Sequence, residues 1–416
     1  MAERSTLSHL LGRIARVGRG QGTARDPLTL CEELLGDKGE VSGLAAAMEI
    51  LDGAEALNNG ELAEFFEALA DRFCVDHKAL AKAVADWDGE SGEGARAIHD
   101  ISEPRSQELI RRINRAPGAT ARLVALRAKL VQHVRANSAL RGLDGDFLHL
   151  FSSWFNRGFL ELRHVDWQSP AEVLEKIISY EAVHEITGWD DLRQRVADPD
   201  RRLFAFFHPA MPDDPLIFVE VALMAEIPGA IGEIINGTRE AIDPEAAKVA
   251  VFYSISNCQA GLRGISFGNF LIKQVVAELQ AELPGLSAFV TLSPVPGLRR
   301  WAMAGGEGLL DDTGWMPEDG VPDEALTARI AARYLTGARR PMGTAFDPVA
   351  HFHLGNGAQL HAVHAGADPS DTGRGNSWGV MVNYLYDLSK IEANHQAYAN
   401  EGEIAAAPKV RTLARK

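Results

Sequence analysis

Cysteine is scarce in this chain: 3 residues among 416, at Cys31, Cys74 and Cys258. With no CxxC pair and an odd count, a disulfide framework and a cysteine-rich zinc module are excluded, and structural thiols in a reducing compartment are expected. Long apolar runs are also missing. No stretch approaches the roughly 18 uninterrupted apolar residues of a membrane-crossing helix. Positive charge is in deficit, with 42 Lys+Arg against 57 Asp+Glu and a net charge of −15. A diffuse basic field for coating nucleic acid or anionic membrane is therefore excluded, and any anionic ligand must be held locally. The chain has no fixed-period repeat and no low-complexity tract, which removes repeat architectures. It also lacks the GK[ST] of a Walker loop and the GxGxxG of a dinucleotide fold. Near the N-terminus, MAERSTLSHLLGRIARVGRGQGTAR is Arg-rich but has no secretory apolar region, and the C-terminal Ala-Arg-Lys is not a peroxisomal address. A cytoplasmic protein is expected.

What remains is an ordinary globular composition, 46% hydrophobic and 24% charged, long enough for two or three domains. Apolar residues at three- and four-residue spacing predict helices over Leu28–Leu35, Val41–Leu51, Ala54–Arg72, Leu80–Trp87, Ser106–Ile113 and Thr120–Ala139. No chemistry concentrates there, so residues 1–150 read as a helical bundle for packing or oligomer contacts. From the aromatic-rich Asp146–Leu162 the texture changes. Ser169-Pro170-Ala171-Glu172 has the form of a capping box opening a helix over Val173–Tyr180. Strands are expected at Leu203–Phe207, Leu216–Leu223, Lys248–Ile255 and Ser287–Leu292, and a helix over Phe267–Leu283. Strand, glycine-rich loop, helix and strand make a βαβ unit.

Three stretches carry chemistry. The first is the loop from Ser254 to Asn269, where Gly261, Gly264 and Gly268 allow close backbone approach. Free N–H groups at the following helix start suit a phosphate or pyrophosphate; a ligand-free glycine turn is the alternative. Gly264-Ile-Ser266-Phe-Gly268 also matches the GxSxG elbow of serine hydrolases, with Asp347 and His353 in the right chain order. Residues 257–263 separate it from its strand, however, which is too long for that sharp turn. The second is Leu292-Ser293-Pro294-Val295-Pro296-Gly297, a serine at a strand end where α/β sheets place ligands, or else a Ser-Pro turn. The third is Asp347–Ala358, with His351, His353 and, further on, His361 and His364. His351 and His353 would share one face of a strand, a spacing zinc sites use. No third ligand is dictated, and one imidazole suffices for general acid or electrophilic work. Gly373–Tyr386 adds a glycine loop and an apolar segment with Asn383 and Tyr384.

On WFNRGFLEL at 154–162, FYSISNCQAGLRGISFGNFLIKQVVAEL at 252–279, LSPVPG at 292–297, FHLGNGA at 352–358 and NYLYD at 383–387, the chain resembles the malonyl-CoA decarboxylase family. The resemblance implies an α+β protein: a helical N-terminal domain over 1–150, then an acetyltransferase-like (GNAT) α/β catalytic domain over 151–416. It implies decarboxylation of malonyl-CoA to acetyl-CoA and CO2 with no cofactor and no metal, in a homo-oligomer expected to be a tetramer. Ser293 and His353 correspond to the catalytic pair. Substrate contacts fall on Arg263, Gly264, Ile265, Ser266, Phe267, Gly268 and Asn269, with Asn356 and Tyr384 as orienting groups around His353. Lys273, Arg299 and Arg300 join Arg263 as candidate cations for the coenzyme phosphates. The chain departs from eukaryotic members in a shorter Ser293–His353 interval. A CoA-dependent acyltransferase, a GxSxG hydrolase and a non-catalytic CoA-binding protein are the alternatives.

Overall fold

Four helix starts in the first third are set by short polar side chains, Asp26, Asn58, Asp76 and Ser91, at the positions where backbone N–H groups lack partners. The computed structural model describes residues 25–36, 39–235, 239–265, 267 and 270–415. Asp26 caps Pro27–Leu35, with Pro27 at the first helical position. Asn58 and Glu61 form a reciprocal capping box that opens Asn59–Arg72. That box explains why the continuous helix expected over Ala54–Arg72 is instead two, with the preceding Glu40–Ala56 ending before it. Ser91 starts a further helix, Gly92–Ser102, that periodicity did not reveal. The remaining helices are His77–Asp86, Arg105–Ile113, Ala119–Ala136 and Arg141–Trp154. His77–Asp86 and Gly92–Ser102 bury no residue, while the other helices bury a core that includes Phe66, Leu123, Phe151 and Phe155.

The chain divides into two compact units. One runs to Leu160 and takes in 208–212 and 259–267; the other comprises 161–207, 213–258 and 268–416. The division thus falls shortly after the expected boundary at 150/151. It also assigns Arg263, Gly264, Ile265 and Phe267 of the glycine-rich loop to the helical unit.

The second unit is built on an eight-stranded sheet. Strands β1 (Glu161–Val165), β2 (Arg201–Phe207), β3 (Ile217–Met224) and β4 (Val249–Asn257) are successively antiparallel. Helix Phe270–Glu282 then carries the chain to β5 (Ala288–Thr291), which is parallel to β4. β6 (Ser293–Pro294), β7 (Gln359–His364) and β5 all pair antiparallel with β8 (Met381–Leu385). One face buries Leu203, Ala205, Phe207 and Phe218 against the helices Ala171–Tyr180 and Trp189–Val196. Val249, Val251, Val290 and Met381 anchor a second cluster. Each such side chain contributes roughly 1.5–3 kcal/mol of burial. The order is the expected one, a helical region followed by an α/β domain built on a mixed sheet.

The register of β3 against β4 steps between Glu220↔Ser254 and Val221↔Phe252, leaving Tyr253 as an extra residue. Such a bulge re-aims side chains near a site. One local expectation fails: helix Ala171–Tyr180 has Pro170 at its N-cap and no side-chain cap. The Ser169 hydroxyl instead accepts from the Asp166 N–H at 3.1 Å, so the capping box is not formed.

Candidate active site

Ser293 and His353 meet although 60 residues separate them. Ser293 Oγ lies 3.1 Å from His353 Nε2. Ser293 follows the end of β5 by two residues and is pinned by the pairing of β6 with β8. His353 sits on the helix Pro348–Gly355, not on the strand expected from its spacing with His351. The Asp347-Pro348 pair explains the difference. Asp347, buried, accepts from Val349 N and Ala350 N at 2.9 Å each, and Pro348 supplies the preset φ of a first helical residue. On a helix, residues two apart point about 200° apart, so the two imidazoles diverge. His351 Nδ1 pairs with Tyr398 Oη at 2.7 Å, while His361 pairs with Lys409 and His364 with Asn383. Among the described residues no group of His, Cys, Asp and Glu could hold a metal ion.

The His353 ring is fixed on three sides. Nδ1 lies 2.8 Å from Tyr386 Oη, Nε2 faces Ser293, and Tyr384 stacks on the ring face at 4.6 Å and 25°. Tyr384 therefore holds the plane of the imidazole, and its hydroxyl has no hydrogen-bond partner among the described residues. Asn356 closes the helix, its N–H bonding the Phe352 and His353 carbonyls and its Nδ2 donating to Phe352 O at 2.7 Å. It touches the backbone that carries His353, not the ring. Ser293 Oγ donates to Thr291 Oγ1 at 2.9 Å, and Thr291 Oγ1 also accepts from Tyr384 N. Asn383 Nδ2 holds the Thr291 carbonyl at 3.0 Å. A single direction of donation runs from Tyr386 through His353 and Ser293 to Thr291. It assigns the proton of the neutral imidazole to Nε2.

Neither Tyr386 nor Thr291 was singled out from the sequence. The signal for Tyr386 lies in NYLYD itself: residues 384 and 386 alternate along one strand face, so the second tyrosine accompanies the first.

Burial pushes the His353 imidazole down from 6.5 to about 3 and holds the Tyr384 and Tyr386 phenols well above their ordinary value. The ring is neutral and both phenols are protonated throughout the neutral range. Because the folded value is depressed, His353 contributes stability that is present above pH 6.5 and is lost as pH falls toward 3. The gap corresponds to roughly 5 kcal/mol at full effect. For catalysis, kcat is expected to be flat between about pH 5 and 8, with no limb at the usual histidine value. A pH–kcat profile checks this, and an acid limb near 6.5 would contradict it.

A cavity of about 240 Å³ opens onto the pair. Besides Ser293 and His353 it is lined by β4 residues such as Tyr253, Ile255 and Asn257, and by Pro294, Val349, Phe352 and Val183. Among the described residues no lysine or arginine lines it. Its size admits a small acyl group rather than a whole coenzyme.

The glycine-rich loop has its own support within the helical unit. Arg127, almost wholly buried, bonds Asp144 at 2.8 Å and the carbonyls of Gly261 and Arg263 at 2.6 and 3.0 Å. At Gly261 a Cβ would strike the Val124 carbonyl. Ser266, Gly268 and Asn269 lie outside the described residues. The helix after the loop spans Phe270–Glu282, within the Phe267–Leu283 expected. Lys273 pairs with Glu392 at 3.3 Å. Replacing Arg127 by methionine leaves the carbonyls of Gly261 and Arg263 and the partly exposed Asp144 carboxylate without their donor, a loss typically of about 1–3 kcal/mol. The expected result is a lower Tm together with a raised KM for a CoA thioester, read by thermal melting and steady-state kinetics. The elbow reading finds no support at His353, whose two ring nitrogens face Ser293 and Tyr386 while Asp347 is committed to its helix cap.

Residues 158–416 match the family model of the malonyl-CoA decarboxylase C-terminal domain, and residues 73–155 that of its N-terminal domain. The mitochondrial malonyl-CoA decarboxylase of Anser anser anser is 34% identical over 398 residues, 84% of this chain and 79% of that protein. That of Rattus norvegicus is 34% identical over 401 residues, covering 84% and 81%. The crystal structure of malonyl-CoA decarboxylase from Rhodopseudomonas palustris superposes with a TM-score of 0.87 at 47% identity, over 93% of this chain and 98% of that one. The structure from Agrobacterium vitis gives 0.86 at 49% identity, over 94% and 100%.

Proposed function

Because the chain belongs to the malonyl-CoA decarboxylase family, we propose that it converts malonyl-CoA to acetyl-CoA and CO2 at Ser293 and His353. The observation that carries the mechanism is the 3.1 Å Ser293–His353 contact in a cavity that no lysine or arginine lines among the described residues. A malonyl thioester needs no external electron sink. When the bond between C2 and the carboxylate breaks, its electron pair enters the thioester carbonyl as an enolate. CO2 departs, and one proton replaces it on C2.

The protein's work is then placement and charge stabilisation. A neutral His353, held by Tyr386 with its proton on Nε2, donates toward the developing enolate oxygen; as that proton passes to C2, the Tyr386 hydroxyl proton refills Nδ1 and water restores the phenol, so the proton gained by C2 comes in the end from solvent. Ser293, whose hydroxyl donates to Thr291 Oγ1 in this structure, faces the same oxygen or the carboxylate. The apolar side chains that line the cavity, such as Val183, Ile255, Val349 and Phe352, stabilise the carboxylate less than water does relative to neutral CO2, which favours the step.

Arg263, Gly264, Ile265, Ser266, Phe267, Gly268 and Asn269 are proposed to take the coenzyme's phosphates, with support from the glycine content and the Arg127 anchor. Asn356 and Tyr384 are proposed to orient His353. A homotetramer in the cytoplasm completes the reading. The tetramer is supported by the resemblance, and the three free thiols fit a reducing compartment; no helix among the described residues is long and apolar enough to cross a membrane.

The test is turnover of malonyl-CoA in the absence of any acyl acceptor. Equal molar release of CO2 and acetyl-CoA is expected. Release that requires an added amine or alcohol would identify an acyltransferase, and no release would refute the proposal.

A further inference from the structure

The catalytic cavity takes its lining from three elements of the second unit: β4, the segment Ser293-Pro294, and the helix Pro348–Gly355. Among the described lining residues Val183 alone comes from elsewhere. It lies in the loop between the helices Ala171–Tyr180 and Trp189–Val196, and that loop is fixed at both ends.

On one side of Val183, the Glu181 carboxylate gathers four kinds of donor. It accepts from Ser254 Oγ at 2.8 and 2.9 Å, from Ser256 Oγ at 3.2 Å, and from the N–H groups of Val183 and His184 at 2.7 Å each. Ser254 and Ser256 belong to β4, so one carboxylate ties the loop to the strand that forms the cavity wall. On the other side, Arg195 donates to the carbonyls of His184 and Glu185 at 2.9 and 3.0 Å. Its guanidinium is held by Asp191 at 3.0 Å and by the fully buried Glu220 of β3 at 3.1 Å. A surface loop does not need this many charge-assisted bonds. Here they place one branched side chain, two residues beyond one anchor, against the space where the acyl group reacts.

We propose that Val183 is a specificity-determining residue that limits the size of the substituent on C2 of the malonyl thioester, and that Glu181 is the positioning residue that holds it there. The inference rests on the proposed decarboxylation. In that reaction C2 becomes planar in the enolate, so a substituent on C2 must share the cavity with Ser293 and His353. One methylene in an apolar pocket is worth about 10–200-fold in discrimination. Tyr253, Ile255, Pro294, Val349 and Phe352 are set by the strand and helix backbones that carry the site itself. Val183 can therefore set the limit without altering the catalytic pair.

The experiment compares kcat/KM for ethylmalonyl-CoA with that for malonyl-CoA, using the full chain. Val183→Ala is expected to raise the ethylmalonyl/malonyl ratio by about tenfold or more, and Val183→Leu to lower it by a similar factor. Glu181→Ala is expected to raise the ratio as well. The double variant Glu181→Ala/Val183→Ala should rise no further than Val183→Ala alone, because Glu181 acts through Val183. Val183 ratios within about twofold of wild type in both directions would overturn the specificity role. A Glu181→Ala enzyme that loses activity equally on both substrates would overturn the positioning role. A wild type that releases no CO2 from malonyl-CoA refutes the proposed function instead, whereas an active wild type with unmoved ratios refutes this inference alone.

Discussion

His353→Ala is expected to lower kcat for CO2 release from malonyl-CoA by about 10²–10³-fold, the usual cost of one preorganised donor at a developing oxyanion. The imidazole has little freedom to move. Tyr386 Oη at 2.8 Å, Ser293 Oγ at 3.1 Å and the Tyr384 ring at 4.6 Å leave one orientation. The ring is already in place before the enolate forms, and only its Nε2 proton, which in this structure faces Ser293 Oγ, has to be shared with the thioester oxygen. Burial keeps the ring neutral, with its pKa at about 3, and so it acts as a hydrogen-bond donor and not as a resident cation. Ser293→Ala should fall in the same range. KM should change far less than kcat in both variants, because the interaction strengthens only as charge reaches the thioester oxygen.

Gly357→Ala is expected to be the most damaging small substitution near the site. Gly357 has φ +83°, and a Cβ there would run into the Ile391 carbonyl oxygen and stand 2.9 Å from its carbon. The obstacle is backbone and cannot rotate away. Helix Ile391–Glu401 is also bonded to this turn: Asn394 Nδ2 donates to Gly357 O at 3.1 Å, and His395 Nδ1 contacts Gly355 O at 2.7 Å. Relief requires moving that helix or the end of the His353 helix. Left-handed strain and the collision together should cost about 3 kcal/mol or more, lowering Tm on the order of 10 °C for a unit of this size. A thermal melt reads this directly. A Tm within about 2 °C of wild type would show that the turn relaxes at little cost.

The sequence already contained β2 to β5, the glycine-rich loop and the following helix, because each is a local pattern: alternating or continuous apolar runs, then a 3.6-residue stripe bounded by glycine and proline. Ser293 and His353 were also legible as candidates, one at a strand end and one before an Asn-Gly turn. The strand expected at His351–His353 was a wrong choice of period. Two alternating histidines weigh less than an aspartate-proline start, which supplies both a cap and a preset φ. Likewise Ser169 had a better local partner in Asp166 than in the helix it was expected to cap.

Other features could not be read because they exist only after long-range pairing. Thr291 and Tyr386 join the site through β5 and β8, 95 positions apart in the numbering. Glu181 finds Ser254 across 73 residues, and Arg127 finds Gly261 across 134. In each case the polar partners are ordinary residue types at unremarkable spacings, and only burial turns them into a network.

The central claim is that Ser293 and His353 act as one device on the malonyl thioester. A double-mutant cycle of kcat for CO2 release, using wild type, Ser293→Ala, His353→Ala and the double variant, tests it most directly. Each single variant should lose about 10²–10³-fold, and the double variant should be hardly slower than the slower single, as for residues that work as a unit. A single variant that keeps the wild-type kcat, or a double variant in which the two losses multiply, would contradict it.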